Sequence, residues 1–257
     1  MPILRAETAY SSSTRELHSP DDRRLAHRMT ERTYAEPMNE LPTSRGGRVT
    51  VIDVDTPHGL AQAHLHPVAR PRAALVLGHG AGGGVSSRDL VAVKDIALSE
   101  GVGVALVEQP YRVAGRRAPA PARQLDAAWT AVVDHLRMGE LSGLDLLVGG
   151  RSLGARVACR TVDATGAIGV LCLAFPLLPP RRSVAAVSRL PELDAVTVPT
   201  LVVQGARDPF GIPPATEGRT VVQVPGDHGL KTDLDAVAAA VRDWLPRVLS
   251  ASTAKRS

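Results

Sequence analysis

Three observations predict an α/β fold, with a mostly parallel central sheet and helices on both faces. Short runs of Val, Leu, Ala and Ile alternate with amphipathic helical stretches from residue 48 to residue 250. Aromatic residues are scarce, with two Phe, three Tyr and two Trp, so aliphatic side chains must build the core, as they do in parallel strands covered on both faces. The chain has 257 residues, enough for one such domain to bury most of its surface.

The elements follow in order. Arg48 to Asp55 alternates as a half-exposed strand, and Ala61 to His66 reads as its hairpin partner. Ala73 to Leu77 is wholly apolar, the mark of a central strand. Arg88 to Ser99 has a helical period, and Val102 to Val107 is the next strand. The Pro- and Arg-rich piece from Gln109 to Pro121 reads as a long loop at a strand end, the edge that borders the ligand crevice of an open sheet. Pro121 to Met138 is a helix with Leu125, Trp129, Val132, Val133 and Leu136 on one face. Leu144 to Val148 is a buried strand, and Ala155 to Arg160 forms helix after it. Ile168 to Ala174, Thr200 to Gln204 and Thr220 to Val224 complete the sheet. Leu234 to Leu249 is the closing helix, with Pro246 set to end it early.

Residues 1–47 differ from the rest: polar, evenly balanced in charge and without apolar period. They read as a disordered leader, or as the product of an upstream start codon with Met29 or Met38 as the true start. Residues 251–257 read as a polar tail. The net charge of +4 is carried by scattered arginines with few aromatics to stack bases, which argues against a nucleic-acid partner. Cys159 and Cys172 read as small buried hydrophobes rather than a disulfide or metal pair, which favours a reducing compartment. The first twenty residues lack the apolar stretch of a signal peptide, and the apolar run from Ile168 to Leu178 is too short for a membrane span. The expected location is the cytoplasm, without membrane association; oligomeric state leaves no trace in the sequence.

The chemistry is concentrated at four places. Gly149-Gly150-Arg151-Ser152-Leu153-Gly154 lies between a strand and a helix, the pattern of a nucleophile elbow. Gly150 and Gly154 relieve crowding around a strained Ser152, and the Leu153 N–H faces a developing negative charge at a helix N-terminus. His228 is the one histidine downstream of Ser152 and sits between the last strand and the last helix, where a general base belongs. Asp208 follows the preceding strand and suits the acid that orients the imidazole; Asp227 and Asp194 are the weaker rivals. Gly78-His79-Gly80-Ala81-Gly82-Gly83-Gly84 follows the central strand and supplies a second oxyanion donor, the N–H of Gly80 or Ala81. It lacks the lysine and the spacing of a phosphate-binding loop. His79 reads as a residue that holds this loop. His58, His64 and His66 lack metal-ligand spacing with a carboxylate or cysteine, so no metal site is expected, and no organic cofactor is needed.

These pieces, with Pro110-Tyr111-Arg112-Val113, Phe175-Pro176-Leu177-Leu178-Pro179-Pro180, Gln204-Gly205-Ala206-Arg207-Asp208-Pro209-Phe210-Gly211 and Gly226-Asp227-His228-Gly229-Leu230-Lys231, together resemble the α/β-hydrolase superfamily. Within it they look like the dienelactone-hydrolase-like branch that also holds the KANSL and TEX proteins. The resemblance implies the α/β-hydrolase fold with a small or absent cap domain, and Ser152, Asp208 and His228 as the triad. Dienelactone hydrolases use a cysteine nucleophile where this chain has serine, so lactone cleavage is not implied. Tyr111, Arg112 and Phe175 are the expected substrate-binding residues, with the loops at 112–121 and 175–191 shaping the pocket. The expected activity is cleavage of a carboxylic ester or thioester of a small-molecule acyl substrate. The other class is a binding or scaffold protein on a hydrolase frame; an intact set of three groups speaks for chemistry.

Overall fold

The computed structural model describes residues 48–179 and 187–256. The expected leader, 1–47, lies outside the described residues, as do 180–186 of the second pocket loop.

Eight strands form one sheet: β1 (Thr50–Thr56), β2 (Gly59–His66), β3 (Ala73–Gly78), β4 (Val102–Glu108), β5 (Leu146–Arg151), β6 (Gly169–Leu173), β7 (Thr200–Gly205) and β8 (Arg219–Val224). Their spatial order is β1-β2-β4-β3-β5-β6-β7-β8. β1 pairs antiparallel with β2, and β2 with β4; every other pair is parallel. The order reverses at β3, so the connections leaving β3 and β5 diverge and open a crevice at their carboxyl ends.

Both faces of the sheet are covered, and strict alternation divides the core in two. On β3, Ala74 and Val76 face one cluster, while Ala73, Leu75 and Leu77 face the other. The first cluster is closed by α3 (Ala122–Met138) and α4 (Leu153–Thr165), through Leu125, Trp129, Val132, Val157 and Val162. The second is closed by α1 (Arg88–Ser99) and α6 (Leu234–Arg256), through Leu90, Val93, Val237, Val241 and Leu245. Double coverage is why the central strands read as unbroken apolar runs. Trp129 fills the space left by Gly78, whose missing Cβ would come within 3.2 Å of the indole. Truncating a fully buried Trp of this kind costs about 3–5 kcal/mol.

Three expectations change. The stretch expected to be loop after β4 opens with a helical turn, α2 (Pro110–Val113), and a second short helix, α5 (Leu190–Asp194), precedes β7. Both place a proline in the first turn, where its fixed φ suits the helix and its missing N–H costs nothing. Finally, α6 does not end at Pro246 but runs to Arg256. Pro246 is exposed, while Trp244, Leu245, Val248 and Leu249 around it are buried, so packing outweighs the single lost helical bond. Ser252, beyond the expected end of the domain, donates its hydroxyl to Asp145. Among the described residues no helix is long and apolar enough to cross a membrane.

Candidate active site

β5 delivers Ser152 at the crevice. Its backbone has φ 52° and ψ −103°, a region that non-glycine residues avoid. Two bonds hold it there: the Ser152 N–H donates to the Leu173 carbonyl, and the Arg156 N–H donates to the Ser152 carbonyl. The flanking glycines are required by contact. A Cβ on Gly150 or Gly154 would run into the backbone of Gly78.

β7 and β8 deliver the two other groups. His228 Nε2 lies 2.9 Å from Ser152 Oγ, and its Nδ1 lies 2.8 Å from Asp208 Oδ2. The carboxylate also accepts from the Gln204 side-chain amide at Oδ2 and from the Phe210 N–H at Oδ1. With those partners the acid accepts, the Nδ1–H donates, and Nε2 is left to accept from the serine hydroxyl. The Asp208 side chain is fully buried, whereas His228 keeps 19% of its side-chain surface, so the acid end of the line is shut off from solvent. The Phe210 ring meets the imidazole edge-on at 4.5 Å between centroids.

The His228 loop is fixed on both sides. The Asp227 carboxylate accepts the Gly229 N–H, Leu230 is wholly buried beyond it, and the Arg207 N–H donates to the Gly226 carbonyl. Gly205 has no room for a Cβ, which would strike the Asp227 carbonyl. Of the rival acids, Asp227 is thus committed to its own turn, and Asp194 pairs with Arg219.

The β3–α1 loop lies against the elbow: a Cβ on Gly80 would approach Ser152 Cβ to 3.7 Å. Among the described residues, the backbone N–H groups of Gly80, Ala81 and Leu153 donate to no protein acceptor; Leu153 follows Ser152 in the chain, and Gly80 lies against it. Such free N–H groups suit an oxyanion. His79 organises this loop. It is 1% exposed; its Nε2 accepts from the Gln109 N–H, so its Nδ1–H donates to the Gly80 carbonyl. Burial pushes its pKa below the ordinary histidine value.

The expected substrate-binding residues fall elsewhere. Phe175 is a core residue with no exposed surface, because the chain turns inward at the end of β6 and its ring joins the first cluster. Tyr111 is 4% exposed and spends its hydroxyl on the Ala81 carbonyl at 2.9 Å, so it supports the loop from behind. Burial raises its pKa to about 12. Arg112 donates to the Arg116 carbonyl within its own loop. Neither side chain hydrogen-bonds to Ser152 or His228 among the described residues. Two residues to which the sequence assigns no role emerge instead as contacts of the site: Gln204, beside Asp208, and Arg151, which donates to the His228 carbonyl. The one sequence signal for Gln204 is that it is a polar side chain at the end of the apolar run Leu201-Val202-Val203. An open recess of about 520 Å³ beside His228 is lined by Arg207, Pro209, Asp227, Gly229 and Lys231. Another of about 570 Å³, between β8 and α6, touches none of the three groups.

A family model described as an alpha/beta hydrolase domain matches residues 71–255. Solved structures agree in fold. Est1E from Butyrivibrio proteoclasticus superimposes with a TM-score of 0.63 at 16% identity, covering 78% of this chain and 99% of its own. XC6422 from Xanthomonas campestris, described as an α/β serine hydrolase without a lid, gives 0.62 at 19% identity, covering 80% and 96%. A dienelactone hydrolase from Anabaena variabilis gives 0.63 at 16% identity, covering 79% and 99%. No curated protein matches the chain.

Proposed function

The chain belongs to the alpha/beta hydrolase domain family, and from that premise we propose that it cleaves a carboxylic ester or thioester through an acyl-enzyme on Ser152. What supports the reading most is the unbroken line from Ser152 Oγ through His228 to Asp208, at 2.9 and 2.8 Å.

In the reaction Ser152 Oγ attacks the acyl carbon while its proton passes to His228 Nε2. The carbonyl oxygen becomes an oxyanion that accepts from the Leu153 N–H and from Gly80 or Ala81; one such donor supplies about 3 kcal/mol. Asp208 holds the Nδ1–H and stabilises the imidazolium. Collapse breaks the acyl–oxygen or acyl–sulfur bond, and His228 protonates the leaving alcohol or thiol. Water then attacks the acyl-enzyme, gives a proton to His228, and releases the acid as Ser152 recovers its own. No step calls on a metal or an organic cofactor.

The substrate class is a small-molecule acyl compound, and among the described residues the helix between β6 and β7 is the five-residue α5. Cys159 and Cys172 are buried core side chains, the small-hydrophobe role expected of them, and the proposed setting is a reducing, cytoplasmic one. The test is a fluorophosphonate probe beside Ser152→Ala. A folded wild-type chain that resists the probe and turns over no p-nitrophenyl ester of any chain length would end the proposal.

A further inference from the structure

Arg151 stands between Gly150 and the nucleophile, and its guanidinium reaches three ways. Nε lies 2.7 Å from Asp89 Oδ2, on the first turn of α1. Nη2 donates to the His228 carbonyl at 3.0 Å. Nη1 lies against Gly80, where a Cβ would come within 2.8 Å of it. Asp89 is 2% exposed, a carboxylate buried beside the site without a part in the proton line.

We propose that Arg151, held by Asp89, is the positioning residue that locks the His228 loop and the Gly80 loop onto the Ser152 elbow. The proposal rests on the serine-hydrolase reading above. Three separate strand-to-helix connections must meet at Ser152 with sub-ångström accuracy. Among the described residues, two side-chain hydrogen bonds cross from the His228 loop to the β5–α4 turn. One is the His228–Ser152 bond, which each turnover breaks and remakes. The other is Arg151 to the His228 carbonyl, which the chemistry leaves alone. It therefore keeps the imidazole in place while its ring nitrogen is busy.

The choice of side chains fits this duty. A guanidinium carries donors at fixed angles in one plane, so it can serve a carboxylate and a carbonyl together; an ammonium is a point charge without that fork. Asp89 stops the guanidinium from turning toward water, and a buried ion pair left without one partner is costly. The pair is also compact: Gly80 accepts the guanidinium because it has no side chain to displace it.

The experiment compares wild type, Arg151→Lys, Arg151→Ala and the double variant Arg151→Met with Asp89→Asn, which leaves no buried charge unpaired. Each is read by probe-labelling rate, by kcat and KM on p-nitrophenyl acetate, and by melting temperature. The brace predicts a kcat loss of about 100-fold, as small misplacements produce, with KM and melting temperature nearly unchanged in the double variant. It predicts the same direction of loss for Arg151→Lys, which keeps the charge opposite Asp89 and so keeps the fold. Guanidinium ion in the tens of millimolar restores part of the Arg151→Ala rate, and sodium chloride at equal ionic strength does not. A folded double variant or Arg151→Lys with wild-type kcat overturns the brace and leaves the hydrolase standing. An unlabelled, inactive wild type overturns both.

Discussion

Tyr111 donates its hydroxyl to the carbonyl oxygen of Ala81 at 2.9 Å, joining the turn after β4 to the loop after β3. That single bond converts an expected substrate contact into a support for the loop that carries the unpartnered Gly80 and Ala81 N–H groups. Tyr111→Phe leaves the Ala81 carbonyl without this partner and is expected to cost about 1–2 kcal/mol of stability. Ester turnover should fall in kcat more than in KM, because loop order matters most to the oxyanion. Steady-state kinetics beside a urea melt checks both; a larger change in KM than in kcat would return Tyr111 to the substrate pocket.

The same hydroxyl gives a pH test. Burial raises its pKa from 10.0 to about 12, so the folded chain holds the proton more tightly than the unfolded one. The stability this carries is complete below pH 10 and is lost as pH climbs toward 12. Melting temperature should therefore fall more steeply over that interval in wild type than in Tyr111→Phe. Parallel slopes would contradict the assignment.

Acid should loosen the loop from the other side. His79 accepts the Gln109 N–H at Nε2, which a protonated ring cannot do. Its pKa is lowered, first by burial, so the unfolded chain binds a proton at a pH where the folded chain does not. Stability from this group is full above pH 6.5 and declines as pH falls below it. His66, also lowered by burial, adds to the same trend. Proton NMR of the two rings should place both titrations below the ordinary histidine range; a His79 midpoint at or above 6.5 would refute the buried neutral tautomer.

Much of this frame is legible in the residues. The unbroken apolar run from Ala73 to Leu77 marks a strand covered on both faces, and Gly150-Arg151-Ser152-Leu153-Gly154 marks the turn at its neighbour. Chain order alone nominates His228 and Asp208, the two groups that lie in line with Ser152. What escapes is side-chain direction. Phe175 follows a strand and could face either the crevice or the core; the inward turn after β6 decides it. Arg151 reads only as a basic residue in a motif, because nothing in a sequence says that Asp89, sixty-odd positions earlier, folds beside it. Pro246 misleads in the opposite sense, since a local rule about helix breaking cannot see the buried Trp244 and Val248 that hold both halves against the sheet.

Gly154→Ala probes the elbow through packing. Its added methyl would meet the Gly78 backbone, where no flexible side chain can give way. Overpacking of this kind costs about 1–3 kcal/mol. Because the displaced backbone belongs to the strand leading into the Gly80 loop, labelling of Ser152 should slow as well. Equal labelling rates in the variant and wild type would mean that the loop adjusts freely.

Gln204 offers the sharpest electrostatic test. Its amide, wholly buried, donates to Asp208 Oδ2 at 2.7 Å and to the carbonyls of Phe175 and Gly211. Gln204→Leu removes those donors without adding charge; a lost bond to a charged group is worth about 1.5–3 kcal/mol. Gln204→Glu keeps the shape and, while protonated, still offers one donor to Asp208. Ionising it there would bury a second carboxylate against the first, so the introduced acid holds its proton more tightly in the folded chain than the ~4.3 of an unfolded one. Its contribution is therefore retained at low pH and lost as pH rises. The Glu variant should melt close to Gln204→Leu near pH 5 and well below it near pH 8, while the gap between Gln204→Leu and wild type stays constant. If the Glu variant tracks Gln204→Leu at both pH values, the two side chains are not in the contact that orients Asp208 toward His228.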